Sequence, residues 1–547
     1  MKKRSTLLIL LLLIQVVTFG QVKLSKNLTV TLGTPYPVID ARSKYYFHQG
    51  DEMLSIKITK KEIILQKLND KKLSFIKVKA YDDMPDNYEV ERIFKLGKRY
   101  YLFYSLWDKK NEVEQLFSRE IDFAKGTFID AGKRILKIEG KIVSSFTSSS
   151  FLDMSVSVTL IDKFSFNASS DSSKILIQSR LKPEIKNDSK SYDIISMNVF
   201  NQNLDPVWSK EIKMPYTEKK MNNIDYSIDS EGNAYILTTV YNDNTTDIKK
   251  NRNGDANYHI ELLRIKANTS TIAITPIEVA DKFINKIWLY ENPNNYMICA
   301  GFYNKGKNLD NADGIILFKV GKEGKAYDVA TYEIPVSVLN QYTSKRNQRR
   351  NERNEDKDKA EFKDLDLREL IIEKDGSILL IGEQYYVTEY RSASSTGMMS
   401  GRVQYIYHYN DMLVTKIDAA GKLAWMKKLP KRQKGGVGIG GMSYQYIRGE
   451  DNHYFLFLDN EKNTDLLPDE IPSTHVDGAG GFLTAYAVNN SRGEIIKTSI
   501  LNTRDVEGIV VAQFWPNKIV PVAASTFVFE AYKKNKEDIL IKVTLPK

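Results

Sequence analysis

The feature that most constrains this chain is a unit of four short apolar runs, which recurs from near its start to its end. The clearest copy starts at residue 369 with ELIIE, turns at KDG and continues as SILLIGEQ; after a loop come MLVTKID, a turn AAG and KLAWMKKLP. Such runs, broken by Asp-Gly and Ala-Gly turns, are typical of antiparallel strands joined by tight hairpins. One unit therefore predicts four antiparallel strands, lettered a to d in chain order.

The same pattern recurs along the chain, and no amphipathic stretch of helical period and convincing length accompanies it. Repeated four-stranded units predict an all-β fold, a β-propeller in which blades stack radially and bury both faces of each sheet. A pair of β-sandwich domains is the structural alternative. The turn between strands a and b recurs near Gly50, Gly97, Ser173, Gly232, Asn295, Gly376, His453 and Thr526.

The two ends of the chain predict how the ring closes. Residues 517–545 supply strands a, b and c of a last unit, and no run for strand d follows them. A β-rich run at 27–33 belongs to no other unit, so we expect it to complete the last blade. This count gives eight blades. Seven is the main alternative, because the units at 44–82 and 150–215 are weakly patterned.

Residues 1–20 have the pattern of a secretory signal peptide. Lys2, Lys3 and Arg4 precede an apolar run that ends in a TFG tripeptide, which offers small residues at the cleavage positions. The run is shorter than the roughly 20 apolar residues of a membrane helix, and no later stretch approaches that length. We expect a Sec-exported protein in the periplasm or outside the cell. The mature chain, 21–547, should form a single propeller domain without a transmembrane segment.

Composition narrows the chemistry further. The only cysteine, Cys299, lies far from the cleavage point, so we expect neither a lipid anchor nor an intrachain disulfide. Lys and Arg number 79 against 69 Asp and Glu, an excess too dilute over this length to predict nucleic-acid binding. The five histidines lack zinc-ligand spacing, and no loop spells a complete calcium site. We therefore expect no metal and no cofactor.

The segment 411–425, DMLVTKIDAAGKLAW, resembles the repeat of secreted bacterial β-propellers and overlaps the repeat of quinoprotein-type propellers. The match is good over this one blade. The resemblance implies the propeller fold. It implies no particular activity, because such repeats serve enzymes, sensors and scaffolds.

Long insertions fall on one class of connection. In a propeller the a–b and c–d turns open on one face, and the b–c and d–a loops open on the other; here the a–b and c–d turns are mostly tight. We therefore predict a loop-rich binding face, because loops can vary there without disturbing the stacked core. The long b–c connections are 241–258, 387–404 and 459–481, and the long d–a connections are 337–365 and 431–443.

Candidate ligand-binding residues lie in two of these loops. Tyr405, Tyr407 and His408 lie beside the long b–c loop of the best-patterned blade, and His475 and Asp477 lie in the next such loop. A histidine acts as an acid or base where carboxylates converge on it, and aromatic rings can stack against sugars. We predict a ligand site here, with ordinary packing or surface roles as the alternative.

Four other residues are expected to have structural roles. Trp208 and Trp425 occupy one place in strand d and should pack between blades, and Cys299 should be a buried strand residue. His453 lies at a predicted turn and should be exposed.

The insertion 343–366 is expected to be mobile. Its segment 345–364, KRNQRRNERNEDKDKAEFKD, has eight positive and six negative side chains and almost no apolar residue, so it cannot bury enough surface to offset the entropy of ordering. The first half is net basic. It predicts a docking segment for a partner, with Arg346, Arg349, Arg350 and Arg353 as the contacts.

These features favour an exported, non-catalytic scaffold that binds an envelope protein or a polysaccharide through its loop-rich face. Propeller enzymes assemble their sites from single residues on different blades, so a polysaccharide-active hydrolase or lyase and a quinone-dependent dehydrogenase stay open. An accessory subunit of an outer-membrane secretion or uptake machine is a further alternative. An enzyme predicts two carboxylates, or a carboxylate and a histidine, at the central mouth of that face. A scaffold predicts a broad, shallow face.

Overall fold

The computed structural model describes residues 28–545 with internal gaps. The leader predicted at 1–20 lies outside the described residues, as does the predicted turn residue Asn295. The gaps are 144–162, 184, 250–253, 270, 278–281, 295, 307, 309, 322, 356, 358–359, 392–402, 437–440, 468–469, 514 and 534–535.

The chain forms eight antiparallel four-stranded blades, several with a short extra strand. Strands β1 (Thr29–Leu32) and β2 (Tyr36–Pro37) come first. Blade 1 contains β3 (Ser43–Gln49), β4 (Glu52–Ile58), β5 (Ile63–Asn69) and β6 (Ser74–Tyr81). Blade 2 contains β7 (Glu89–Leu96), β8 (Arg99–Asp108), β9 (Val113–Asp122), β10 (Thr127–Phe128) and β11 (Lys133–Glu139). Blade 3 contains β12 (Ile142–Val143), β13 (Ser165–Ala168), β14 (Lys174–Leu181), β15 (Tyr192–Asn201) and β16 (Pro206–Thr217).

Blades 4 and 5 have four strands each, and a connection with two helices follows them. Blade 4 contains β17 (Met221–Ile228), β18 (Ala234–Tyr241), β19 (Tyr258–Ile265) and β20 (Ile272–Ile277). Blade 5 contains β21 (Phe283–Asn292), β22 (Tyr296–Asn304), β23 (Gly314–Val320) and β24 (Ala326–Glu333). The helices are α1 (Val336–Leu339) and α2 (Lys345–Glu355).

Blades 6 to 8 complete the ring. Blade 6 contains β25 (Leu365–Ile372), β26 (Ile378–Arg391), β27 (Val403–Ile417), β28 (Leu423–Leu429) and β29 (Gln433–Gly435). Blade 7 contains β30 (Gln445–Arg448), β31 (Asn452–Asp459), β33 (Phe482–Asn489) and β34 (Ile495–Asn502), and β32 (His475–Val476) pairs with β29. Blade 8 contains β35 (Val511–Gln513), β36 (Val520–Ala523), β37 (Thr526–Lys533) and β38 (Glu537–Thr544), with β1 at its outer edge.

The strands have long apolar runs because both faces of each sheet are buried. In β14, for example, Ile175 and Ile177 pack toward blade 2, whereas Leu176 packs toward blade 4. Among the described residues, buried side chains form one apolar cluster at each junction between neighbouring blades. Alternate residues of one strand thus stabilise two different junctions.

The ring closes as predicted. Strand β1 pairs with β38 in antiparallel register, with Thr29 opposite Thr544 and Leu32 opposite Ile541. The junction between blades 8 and 1 has its own core, in which Met53 and Leu68 pack with residues of blade 8. Eight blades are therefore present, and the seven-blade and two-sandwich alternatives are wrong.

The predictions for individual buried residues had mixed outcomes. Trp208 Nε1 donates to the carbonyl oxygen of Gly232 at 2.8 Å, and Trp425 Nε1 donates to that of Asn490 at 3.0 Å, so both tryptophans pack against the next blade as predicted. Cys299 is buried, also as predicted. The prediction of an exposed His453 was wrong, because the turn lies at 449–451 and His453 is a fully buried residue of β31.

The insertion 343–366 contains helix α2, although the sequence pattern predicted no helix there. The helix was missed because its inward face is formed by Asn and Gln instead of apolar residues. The mobility of the insertion stays a prediction. None of the helices in the described ranges combines the length and apolarity that a membrane crossing requires.

Candidate functional site

The long connections meet on the face formed by the b–c and d–a loops. The b–c loop of blade 5 forms a bridge with the insertion between blades 5 and 6, where Ala312 pairs with Phe362. Lys249, in the b–c loop of blade 4, donates to the carbonyl oxygen of Gly306 in the b–c loop of blade 5. Lys428 Nζ in β28 donates to the carbonyl oxygen of Gln341 at 2.8 Å. Neighbouring loops thus support one another, and we call this surface the loop-rich face.

Three of the predicted residues lie on a two-stranded ribbon where β26 and β27 extend beyond blade 6. Tyr405 is 53% exposed, and His408 is half-buried against Tyr386, with ring centroids 4.4 Å apart and planes 11° apart. His408 Nε2 lies 2.9 Å from the Thr388 hydroxyl. Burial, followed by the charges of Lys434 and Arg432, lowers the pKa of His408, so this imidazole is neutral at neutral pH.

The predicted residues of the next loop are joined to this ribbon through β29. Gln433 of β29 pairs with Tyr409 on one side and with His475 of β32 on the other. The structure therefore brings together the segments that contain Tyr407, His408, His475 and Asp477. The sequence offered no signal for this link, because β29 is only three residues long and its pairing with β32 is parallel.

The link buries both residues of the second segment. His475 is 2% exposed, and burial lowers its pKa to about 4, so the ring is uncharged at neutral pH. Burial raises the pKa of Asp477, whose Oδ1 accepts a hydrogen bond from the backbone N–H of Gly441 at 3.1 Å. These contacts position the loop. The exposed part of the predicted site is therefore the tyrosine ribbon.

A buried charge network below the ribbon was missed from the sequence. Lys431 Nζ lies 2.6 Å from Glu383 Oε1, and Arg368 Nε lies 3.0 Å from Glu383 Oε2. Ser443 Oγ donates to the same carboxylate at 2.9 Å. Burial lowers the pKa of Lys431 against the opposing effect of Glu383. The network anchors the β28–β30 connection to blade 6, and no spacing rule relates its members because they come from separate elements.

A second missed network joins blade 8 to blade 1. Glu530 accepts hydrogen bonds from Lys57 at 2.8 Å, from Lys44 and Tyr46 at 3.0 Å, and from Tyr36 at 2.9 Å. Burial alone would raise the pKa of Glu530, but the charges of Lys57 and Lys44 outweigh it and hold that pKa low. Burial, and then the charge of Glu530, raises the pKa of Asp538.

Two carboxylates converge in this second network, since Lys57 Nζ lies 2.8 Å from Glu530 and 3.4 Å from Asp538. Both carboxylates have almost no exposed surface and are held by lysines. Through these lysines they join blade 8 to blade 1, and these contacts contribute to ring closure.

The four predicted docking arginines lie on α2. Arg346, Arg349, Arg350 and Arg353 are all exposed. The last three follow Arg346 by three, four and seven residues, which places all four on one face of an α-helix. On the opposite side, Gln348 Nε2 donates to the carbonyl oxygen of Asn340 at 3.2 Å. The helix therefore contacts the preceding turn through amides and presents its guanidinium groups to solvent. We call this row of arginines the arginine stripe.

No family model and no curated protein matches the chain. Among solved structures it is similar to the polysaccharide lyase Uly1, at 8% identity over 91% of this chain and 89% of that chain, with a TM-score of 0.38. It is also similar to an apocarotenoid oxygenase of Synechocystis, at 10% identity over 70% and 71%, with a TM-score of 0.32. A prolyl endopeptidase matches at 11% identity over 78% of this chain and 54% of that one, with a TM-score of 0.32.

At these identities the likeness concerns the propeller fold alone, and it contributes nothing to the choice of a function. The fold and the two surfaces together define an eight-bladed β-propeller with a loop-rich face, an aromatic ribbon on blade 6 and an arginine stripe between blades 5 and 6.

Proposed function

We propose that this protein is an exported, non-catalytic scaffold whose loop-rich face binds an anionic polymer of the cell envelope. The leader-like segment 1–20 supports export. The observation on which the ligand class depends is the arginine stripe, in which four exposed guanidinium groups lie along one face of α2.

An anionic polymer suits the stripe for electrostatic reasons. A single exposed ion pair contributes only about 0–1 kcal/mol. A polymer engages several guanidinium groups at once, and each contact raises the effective concentration of the next. Guanidinium also forms paired hydrogen bonds with carboxylate, sulfate or phosphate oxygens, which a neutral polymer cannot offer.

The test compares two polymers of one backbone, dextran sulfate and uncharged dextran. We expect the mature chain to bind dextran sulfate, with an affinity that falls steeply as the salt concentration increases. We expect no binding of dextran. The variant R346Q/R349Q/R350Q/R353Q should lose most of this binding. A matched variant, K72Q/K374Q/K422Q/R492Q, removes the same charge from exposed turns of the opposite face and should keep it. Equal loss in both variants would show general charge attraction and contradict the proposal.

A protein partner is the second candidate, and the ribbon on blade 6 favours it. Val387 lies opposite Tyr407, and Glu389 lies opposite Tyr405, so Val387, Tyr405 and Tyr407 share one face of the ribbon. Val387 and Tyr405 are exposed. Exposed apolar and aromatic side chains with a polar surround are typical of protein contacts.

Capture from a native envelope extract separates this candidate from the first. A protein retained by the wild type, lost with V387S/Y405S and kept with the control I496S would support a protein partner. Ile496 is exposed on β34, away from the loop-rich face. Loss of that protein on deletion of residues 345–364 would indicate that the insertion is the docking segment of a larger envelope machine.

A further inference from the structure

A cavity of about 560 Å³ opens at the junction of blades 8 and 1. Its volume lies in the range of about 300–1,000 Å³ that is usual for small-molecule sites. It is lined by the connection that leads into β3, by Trp515 and Lys518 before β36, by residues of β37 and by Lys536 just before β38, so it belongs to the loop-rich face. Its lining residues are Val38, Ile39, Asp40, Ala41, Arg42, Ser43, Lys44, Tyr46, Trp515, Lys518, Glu530, Tyr532 and Lys536.

The charges around the cavity favour an anion. Arg42, Lys44, Lys518 and Lys536 line it, against the acidic groups of Asp40 and Glu530. Lys57, behind the wall, and Lys44 each lie within 3.6 Å of both Glu530 and Asp538, so these two lysines and two carboxylates compensate one another. Arg42 and Lys536 are exposed at the rim. Among the other lining residues Arg42, Lys518 and Lys536 outnumber Asp40, so the cavity attracts an anion.

The floor of the cavity is rigid. Lys44 Nζ and the Tyr46 hydroxyl each donate to Glu530 Oε1 at 3.0 Å. The charges of Glu530 and Asp538 outweigh the effect of burial and raise the pKa of Lys44, which keeps this ammonium charged. Lys44 is thus held by this buried network, which fixes the floor of the cavity beneath a ligand.

Aromatic side chains give the cavity an apolar surface beside its cations. Trp515, Tyr46 and Tyr532 line the cavity, and all three are half-buried. An indole or phenol ring packs well against a flat apolar surface, and the C–H face of a pyranose ring is such a surface. A free phosphate would use the cations without the rings, and a neutral sugar would use the rings without the cations.

We propose that this cavity binds one acidic sugar unit, a uronic acid, with its pyranose ring against Trp515 and its carboxylate among Arg42, Lys518 and Lys536. The unit can belong to a free oligosaccharide or to the end of a polymer. This inference does not require the arginine stripe, which lies on the connection between blades 5 and 6.

The experiment is calorimetric titration of the mature protein with trigalacturonate, a short uronic acid oligomer. We expect saturable binding that the neutral trimer maltotriose does not reproduce. The variants W515A and R42Q/K536Q should each weaken binding by about tenfold or more, whereas K72Q/K374Q, on the opposite face, should not. Equal thermal stability of W515A and the wild type would show that its loss of binding is not a loss of fold.

Three outcomes would overturn the proposal. They are no binding of trigalacturonate, unchanged affinity in W515A, and full competition by inorganic phosphate at equal concentration, which would indicate a simple anion site. The variant R346Q/R349Q/R350Q/R353Q distinguishes the two proposals. It should bind trigalacturonate like the wild type even if it no longer binds dextran sulfate, so failure of one proposal leaves the other open to its own test.

Discussion

Lys57 Nζ lies 2.8 Å from Glu530 Oε2, so a fully buried ion pair joins β4 of blade 1 to β37 of blade 8 where the ring closes. The pairing of β1 with β38 joins the two blades through the backbone, because β1 leads through β2 into β3 of blade 1. This network and the apolar cluster around Met53 and Leu540 add side-chain contacts across the same junction.

Removal of the buried lysine should destabilise the ring strongly. Lys57→Met removes the fully buried one of the two lysines that Glu530 and Asp538 share and leaves only the partly exposed Lys44, and loss of one partner of a buried pair costs about 3–5 kcal/mol. Urea unfolding measures the change. Lys71→Met is the control, because Lys71 pairs with Asp51 on the surface and is 66% exposed, so its unfolding midpoint should not move. A midpoint for Lys57→Met equal to that of the wild type would mean that the apolar cluster alone holds the junction.

The same network predicts a dependence of stability on pH. Burial and the charge of Glu530 raise the pKa of Asp538 to about 7, so between the ordinary aspartate pKa and about 7 the folded state binds a proton that the unfolded state has lost. The contribution of Asp538 to the free energy of unfolding is therefore full at low pH, is lost as the pH rises through about 7, and is constant above it. Asp538→Asn fixes the neutral form, and it should remove this part of the pH profile.

Unfolding of the wild type and of Asp538→Asn between about pH 5 and about pH 8 isolates this effect, because Glu530, with its lowered pKa, and Lys44, with its raised pKa, titrate outside this range. Glu530 has the opposite sign: its lowered pKa stabilises the fold above its ordinary value, and that stability is lost at lower pH. Parallel curves for the two proteins across neutral pH would contradict the raised pKa of Asp538.

The fold could be predicted because its signals are local. Each blade repeats the same apolar runs and turns, and glycines such as Gly50, Gly97, Gly232 and Gly376 have positive φ at the turns where they were expected. The run at 27–33 could be assigned to blade 8 because every other unit already had its fourth strand.

The networks and the helix could not be predicted, for different physical reasons. Lys57 and Glu530 are charged residues in strands far apart in the chain, where a sequence pattern suggests exposed positions. Helix α2 has no apolar face, so its sequence shows no hydrophobic repeat of helical period. His453 was misplaced because the tight turn ends before it, at 449–451. For Lys57 and Glu530 the decisive contact is tertiary, between strands of different blades.

The closing strand should tolerate a charge on one face only. Val30 packs against the cluster between blades 7 and 8, whereas its neighbour Thr31 is exposed. Val30→Asp would place a carboxylate in an apolar contact and should lower the free energy of unfolding by about 2 kcal/mol. Thr31→Asp keeps the same strand and the same charge, and it should be nearly neutral. Equal effects of the two substitutions in urea unfolding would show that β1 does not stabilise blade 8 by packing.

The network below the ribbon should control the stability of the link between the two predicted loops. Glu383→Gln leaves Lys431 and Arg368 buried without their carboxylate, so the β28–β30 connection should loosen first. Across that link the backbone N–H of His475 donates to the carbonyl oxygen of Arg432 at 2.8 Å, and the backbone N–H of Asp477 donates to that of Lys434 at 3.0 Å. Their hydrogen exchange should accelerate more than that of the blade 6 strands, because local opening becomes easier than global unfolding.

Glu494→Gln, at an exposed pair on blade 7, should leave both rates unchanged. Uniform acceleration across the protein would instead mean that Glu383 stabilises the fold as a whole and has no specific effect on the link.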